Sequence, residues 1–402
     1  MALSPPPHRI ALLFNANKAY DREVIAGIGQ YLNSTRVEWD LFLEEDFRSR
    51  VQGIESWHGD GIIADFDDPA TVEALASSPL PVVGVGGSYA DVSRYPKNIP
   101  YIATDNVKLV QLGYRHLIDQ GLSNFAYYGK PACDKAWAAE REAAYVQQLQ
   151  ADALTVNVYQ GLPTSAGNWD NAAEQLVQWL QDLPKPVGIL CVTDARARQL
   201  LQACQLAKIS VPEQVAVVGI DNDPLTHMLT RVPLTSVIQG TEEMGRTAAH
   251  LLHQMLRGAD HSQTLVVVPP AGINVQSSSR HQPLRSPLVM RARHYIRQYG
   301  CLGVKTEQVA DYVGVSRTAL EEHFRRELKQ TVHQALLQHK LEQAGELLLA
   351  SPLPLADIAV RCGFTSLQYM YAVFRREYNL TPKQFQAQHR GAEITDTADQ
   401  SA

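Results

Sequence analysis

The chain has 402 residues, of which 45% are apolar and 19% charged, and a net charge of −6. That length suits two or three domains, each able to bury its own core, and the composition excludes wholesale disorder. No apolar run approaches the ~20 residues of a membrane span, the Pro-rich start Met1–His8 lacks the apolar core of an export signal, and five scattered cysteines (Cys133, Cys191, Cys204, Cys301, Cys362) with no CxxC pair suit a reducing cytoplasm.

In chain order, Ile10–Phe14 reads as a buried strand and Asp21–Leu32 as a helix. Strands follow at Trp39–Leu43, at Gly61–Ala64 ending in Asp65, and at Pro81–Val85 ending in Gly86-Gly87. Val107–Gln120 is helical and Gly121 stops it. Phe125–Tyr128 is a strand, Trp137–Leu149 a helix, Val156–Tyr159 a strand and Asn171–Gln181 a helix. Gly188–Val192 is a strand ending in Thr193-Asp194, and Ala195–Ala207 is a helix. Val215–Ile220 is a strand ending in Asp221-Asn222, then Met244–Leu256 is a helix and Thr264–Val268 a strand. Strands alternating with helices of this length argue a parallel, doubly wound α/β region, here large enough for two lobes. Ligands of such sheets lie beyond the carboxyl ends of the strands. Asn15, Asp65, Ser88, Asp194, Asp221 and Asn222 fall there, although Asp and Asn also serve simply as helix caps.

Gln276–Ser286 is polar and broken by Pro283, so it reads as a linker, and strand signals stop after it. The expected division is a two-lobed domain at 1–280, a linker at 281–287, an all-helical domain at 288–390 and a flexible acidic tail at 391–402. Residues 286–390 carry 14 Lys and Arg against 9 Asp and Glu, a balance of +5, whereas residues 1–285 carry 22 against 30, a balance of −8. A basic module behind an acidic body points to a nucleic-acid contact at one end.

The helical region repeats itself. Val309-Ala310 to Gly314-Val315-Ser316, then Leu320 and Phe324-Arg325-Arg326-Glu327, returns as Ile358-Ala359 to Gly363-Phe364-Thr365-Ser366, then Met370 and Phe374-Arg375-Arg376-Glu377. Each copy has the logic of a helix-turn-helix. A small Ala allows a close helix crossing, Gly makes the turn, and Ser caps the next helix, which buries a residue pair at i, i+4. Val332–Leu349 reads as a long linking helix. Two such units on a rigid helix could reach successive major-groove faces, roughly 34 Å apart.

From these residues the segment KLEQAGELLLASPLPLADIAVRCGFTSLQYMYAVFRREYNLTPKQF resembles the AraC-type family of bacterial transcription regulators. Two positions depart from the family pattern: Met370 stands where Phe is usual, and Asn379 stands where Gly is frequent and must accept a left-handed or turn conformation. The first ~275 residues are similar to the sugar-binding domains of LacI-type repressors and periplasmic binding proteins, in DGIIADFDD, Thr104–Asn106, VTDARARQLL and VPEQVAVVGIDND. The helix-turn-helix that precedes this domain in repressors is absent, since strand one begins near Ile10. The pairing resembles the xylose-responsive AraC-type regulators. That resemblance implies D-xylose as effector with no other cofactor, operator DNA and RNA polymerase as partners, a homodimer through the α/β domain, and activation.

A pentose pocket needs carboxylates and amides for paired hydroxyls and an aromatic wall. By position in the repressor-type pattern, the candidates are Tyr20, Asp21, Asp65, Trp137, Arg141, Thr193, Asp194, Asp221, Asn222 and Gln239. Asp221 and Arg141 stand first, because Arg can fork across two hydroxyls. Glu44-Glu45-Asp46 reads as a solvated turn. Base-edge candidates open each recognition helix: Arg317, Thr318, Glu321 and Glu322, then Ser366, Gln368 and Tyr369. Arg325, Arg326, Arg375 and Arg376 lie near the helix ends, where phosphate contact is expected.

Enzyme signatures fail. GVGGS at 84–88 lacks the dinucleotide spacing, no G-x-S-x-G elbow occurs, and the histidines form no metal cluster, His250 and His253 reading as surface. Two alternatives stay open. One is a different pentose or hexose effector, which a single hydroxyl orientation would decide. The other is a DNA module that recruits a protein partner beside a degenerate α/β scaffold.

Overall fold

The structure is a computed structural model that describes residues 7–35, 37–44, 51, 53–131, 135–281, 286–351 and 353–388. Cys133, Glu45-Asp46, Pro283 and the acidic tail lie outside the described residues. The chain divides into two units, Met1–His281 and Gln282–Ala402.

The first unit has two lobes. Lobe one holds β1 (His8–Leu13), α1 (Ala19–Ser34), β2 (Trp39–Leu43), β3 (Gly61–Asp65), α2 (Pro69–Leu75), β4 (Val82–Gly87) and β5 (Tyr101–Thr104). Lobe two holds α3 (Asn106–Asp119), β6 (Phe125–Tyr128), α4 (Ala136–Ala151), β7 (Val158–Tyr159), α5 (Trp169–Asp182), β8 (Val187–Cys191), α6 (Asp194–Leu206), β9 (Val215–Ile220), α7 (Pro224–Leu229) and β10 (Thr235–Ile238). The chain returns to lobe one for α8 (Thr241–Leu256) and β11 (Leu265–Val268), then adds β12 (Gly272–Asn274) to lobe two.

Among the described residues each sheet has six strands, ordered β11-β5-β4-β3-β1-β2 and β12-β10-β9-β8-β6-β7. The central runs GIIAD, VVGVGG and VAVVGI are buried at every position, because helices cover both faces of a parallel sheet. The parallel expectation fails at one edge. β12 runs antiparallel to β10, with Ile238 opposite Gly272. The reason is geometric: the chain re-enters lobe two beside the carboxyl end of β10, where the Ala271 N–H donates to the Ile238 carbonyl at 3.0 Å, and it can only run downward from there.

The chain therefore crosses between lobes three times, at 104–106, 238–241 and 268–272. The crossings are tied together: the Asp105 N–H donates to the Val268 carbonyl at 3.0 Å. Lobe one is sealed where α8 lies on α1. A Cβ on Gly27 would fall 2.0 Å from the Glu242 carbonyl oxygen, and one on Gly245 would fall 2.0 Å from that of Val24. The polar stretch from Gln276 is anchored rather than free as far as His281. Ser278 Oγ donates to the Val217 carbonyl at 2.6 Å, and Ser279 Oγ bonds both Thr235 Oγ1 (2.6 Å) and His116 Nε2 (2.7 Å).

The second unit is helical: α9 (Pro287–Tyr299), α10 (Thr306–Val313), α11 (Arg317–Leu328), α12 (Val332–Ala350), α13 (Leu355–Arg361) and α14 (Leu367–Tyr378). Both copies of the repeat fold alike. Gly314 and Gly363 make left-handed turns at φ 81° and 69°. Ser316 Oγ accepts from the Ala319 N–H and Ser366 Oγ from the Tyr369 N–H, capping α11 and α14. Leu320, Phe324, Met370 and Phe374 are fully buried. The linking helix α12 serves both cores, with Val332 and Leu336 in the first and Leu341, Ala344 and Leu348 in the second. Asn379 takes the left-handed conformation required of it, at φ 56°, and Lys329 does the same in the first copy at φ 57°.

Candidate functional site: an interlobe cavity and two recognition helices

Between the carboxyl ends of the two sheets lies a cavity of about 380 Å³. Its centre is Arg141 on α4, which is 4% exposed. Three protein acceptors hold the guanidinium: Nε donates to Asn106 Oδ1 (2.9 Å), Nη1 to the Val192 carbonyl (2.8 Å) and Nη2 to Gln239 Oε1 (3.2 Å). Asn106 and Gln239 stand at the first two interlobe crossings, so one buried cation braces both. The guanidinium also lies over the Trp137 ring, 4.9 Å from its centroid.

Asp221 closes this network. Its Oδ1 accepts from Gln239 Nε2 at 2.7 Å and lies 3.9 Å from Arg141 Nη1. Its backbone has φ 121°, a conformation that L side chains rarely adopt. Desolvation pushes its carboxyl up to about 7, against the pull of Arg141. Across the cavity, Asp67 accepts the Gly87 N–H at 3.0 Å, and burial together with the neighbouring Asp65 carboxylate raises it to about 6. Gly87 leaves room here, since a Cβ would fall 2.9 Å from Trp137 Cβ. Asn106 Nδ2 is buried with no hydrogen-bond partner. The site thus presents carboxyls, amides, a guanidinium and the Tyr20 and Trp137 rings, together with a donor that lacks an acceptor. That is the chemistry of a polyhydroxylated ring ligand.

Of the residues expected here, Tyr20, Trp137, Arg141, Thr193, Asp221 and Gln239 line the cavity. The other four do not. Asp21 accepts the Asn15 N–H at 2.6 Å and is fully buried. Asp65 turns inward to Lys18 Nζ (2.7 Å) and the Asp67 N–H (2.9 Å). Asp194 is fully buried, accepting from Ser236 Oγ (2.6 Å) and the Asp223 N–H (2.8 Å). Asn222, at φ 51°, engages Ser236 through its N–H and Asn274 through its side chain. Asp67, Asn106, Lys18 and Lys130 line the cavity but were missed. Asp67 had a signal: a carboxylate two residues beyond the buried strand end, in the same DFDD run. Asn106 had one too, since it ends the Thr104–Asn106 stretch that resembles the sugar-binding domains, but it opens α3 after β5, a strand too short to stand out.

In the helical unit, Arg317, Thr318, Glu321, Glu322, Arg325 and Arg326 line one shallow concavity on α11. Arg317 is exposed and pairs with Glu307 at 2.6 Å. Glu321 also accepts the Val332 N–H at 3.3 Å, which ties α11 to the start of α12. On α14, Gln368, Tyr369, Arg375 and Arg376 are exposed, and Arg376 pairs with Glu377 at 2.7 Å. The Ser366 hydroxyl is already committed to its cap. Among the described residues no cluster able to hold a metal ion occurs, and no helix is long and apolar enough to cross a membrane.

Comparison with known proteins agrees with this geometry. Residues 9–107 match the XylR N-terminal domain, residues 114–279 a periplasmic binding protein-like domain and residues 309–388 a helix-turn-helix domain. The chain is 48% identical to the xylose operon regulatory protein of Escherichia coli K12 over 94% of this chain and 96% of that one. It is 45% identical to its namesake in Haemophilus influenzae over 94% and 98%. A solved structure of the xylose-binding transcription activator xylR superimposes with a TM-score of 0.87 at 46% identity, covering 95% of this chain and 98% of that one. With such identity over nearly its whole length, the chain belongs to the family of xylose operon regulatory proteins.

Proposed function

We propose that this protein is a D-xylose-responsive transcription activator acting in the cytoplasm as a homodimer formed through the α/β unit. D-xylose enters the interlobe cavity, where Asp221, Arg141, Gln239, Asn106 and Asp67 meet its hydroxyls and Trp137 and Tyr20 its faces. Closure of the lobes about the three crossings then alters how two subunits present α11 and α14 to operator DNA and so to RNA polymerase. The sugar drives this only through its differential affinity for the two states. No cofactor enters the mechanism, and the protein regulates rather than catalyses.

The observation that carries the reading is the braced Arg141–Asp221–Gln239 network beside the unpartnered Asn106 amide. A site built from paired donors and acceptors discriminates hydroxyl patterns. The test is a calorimetric titration with D-xylose, L-arabinose, D-ribose and D-glucose. Binding of xylose alone, in the micromolar-to-millimolar range (roughly −4 to −8 kcal/mol), is expected. Selective binding of another sugar would move the physiology, and binding of none would leave only the DNA module standing.

A further inference from the structure

Among the described residues, Cys191 and Cys204 are sealed in the core of lobe two, where burial pushes both thiols up, that of Cys204 to about 12. The other two cysteines meet in the helical unit. Cys301 lies in the single turn after α9, Gly300–Leu302, and is half-buried. Cys362 ends α13 in the second repeat and is 1% exposed. The backbones touch there: a Cβ on Gly363 would fall 2.2 Å from the Cys301 carbonyl oxygen and 3.2 Å from its Cα. Cys301 packs against the apolar cluster that holds Cys362, and the His339 ring lies at the same turn, its Cδ2 2.8 Å from where a Cβ on Gly300 would fall. Lys340 Nζ donates to the Gly363 carbonyl at 2.7 Å and sets a positive charge beside the pair. The neighbouring Cys362, with His339 and the Lys340 charge, holds the Cys301 thiol below its usual range despite burial, while Cys362 is pushed up. Cys301 is the more exposed of the two and the one a small oxidant reaches first, with the buried Cys362 placed behind it to resolve the oxidised sulfur.

We propose that Cys301 and Cys362 form a reversible oxidation site, at which a disulfide joins the two helix-turn-helix repeats and weakens operator binding. The second half of this statement rests on the DNA-binding reading above. The oxidant is a peroxide. The Cys301 thiolate attacks one peroxide oxygen, the O–O bond breaks, and hydroxide leaves to become water. The sulfenic acid so formed is attacked by the Cys362 sulfur. The S–S bond forms as the S–O bond breaks, and a second water carries away the Cys362 proton. The sulfurs lose two electrons and the peroxide gains them. A disulfide holds its sulfurs at ~2.05 Å, closer than any non-bonded contact of two free thiols. Because the backbones already touch, the sulfurs close by turning the end of α13. The Gly363 turn that aims α14, and with it Gln368 and Tyr369, moves too.

The experiment uses the full chain, a DNA fragment selected in vitro by the reduced protein, and hydrogen peroxide as the probe. Peptide mapping should find Cys301 joined to Cys362 with loss of two hydrogens. The oxidised protein should bind the fragment about tenfold more weakly, and a dithiol reductant should restore it. Cys301→Ser and Cys362→Ser should each keep the reduced affinity after peroxide. His339→Gln, which leaves both thiols in place, should slow formation of the bond and guards against misfolding of the serine variants. Absence of the 301–362 bond in the oxidised protein would overturn the proposal, as would a bonded protein that binds DNA as well as the reduced one. If the reduced protein selects no DNA at all, the DNA-binding reading fails instead, and the affinity claim falls with it.

Discussion

The two units carry their candidate sites in opposite ways. In the helical unit each recognition surface is one contiguous stretch, and every residue expected there lies on α11, on α14 or at its cap. In the α/β unit the cavity is assembled from Tyr20, Asn106 and Arg141 on three helices and from Asp67, Asp221 and Gln239 just beyond three strands. A helix surface follows from local spacing, whereas a cleft follows from strand order and from three chain crossings. The contiguous sites should therefore fail independently of one another, and the assembled one should fail as a network.

Arg141→Ala probes the network most severely. It removes a buried guanidinium with three acceptors and leaves Asn106, Gln239 and Asp221 unsupported. Sugar affinity measured by calorimetry should fall by about 100-fold or more. Sugar-free operator binding, read by fluorescence anisotropy, should change by less than about twofold, since the α/β unit folds on its own core. Loss of both would dissolve the contrast between the units.

Next in size is a comparison within the repeat. Gly314→Ala meets open space at φ 81°, so the left-handed strain alone applies, about 1 kcal/mol. Gly363→Ala meets the same strain at φ 69° and also a Cβ 2.2 Å from the Cys301 carbonyl, so a cost of roughly 2–4 kcal/mol is expected by chemical denaturation. Equal costs would mean that the two turns sit in equivalent surroundings after all.

The exposed arginines give a smaller, graded effect. Arg325→Ala and Arg375→Ala should each weaken DNA binding about uniformly across sequences and lower the slope of log K against log salt by about 1. An unchanged slope would assign that arginine to solvent. Glu321→Gln should act differently, loosening the start of α12 without altering the slope.

A pH-dependent effect on stability separates function from fold. The Asp221 carboxyl titrates at about 7 in the folded chain and near 3.9 when unfolded. As pH rises, the unfolded chain releases that proton first, so stability is lost between these two values. Asp221→Asn removes the penalty. Its melting temperature should exceed that of the parent at pH 8, and the gap should close by about pH 4, even as sugar binding is lost. A gap independent of pH would show that the left-handed backbone at this position, and not the charge, is what Asn relieves.

Much of the fold was legible in the sequence for specific reasons. Val215–Ile220 and Phe125–Tyr128 were read to the residue because they are fully buried apolar runs with turn signals at both ends. Tyr101–Thr104 and Thr235–Ile238 were passed over, being four-residue strands with a polar member. Asp65 and Asp194 were expected at the sugar because they stand where strands end. The structure turns them inward as scaffold, Asp194 into space that only Gly219 leaves open, since a Cβ there would lie 2.0 Å from its carboxylate oxygen.

By itself the sequence determined the α/β alternation, the helical repeat with its caps and turns, and the pairing of a sugar-type domain with a DNA-type module. The first two are written in spacing along the chain, at the periods of a strand, a helix and a repeated motif, and the pairing is what the resemblance to known families implies. Tertiary structure alone decided which carboxylates face the cavity, that Arg141 braces two interlobe crossings, that the last strand runs antiparallel, and that Cys301 meets Cys362. Those are contacts between residues far apart in sequence. They follow from the direction in which each strand end and turn points, and no local pattern encodes that direction.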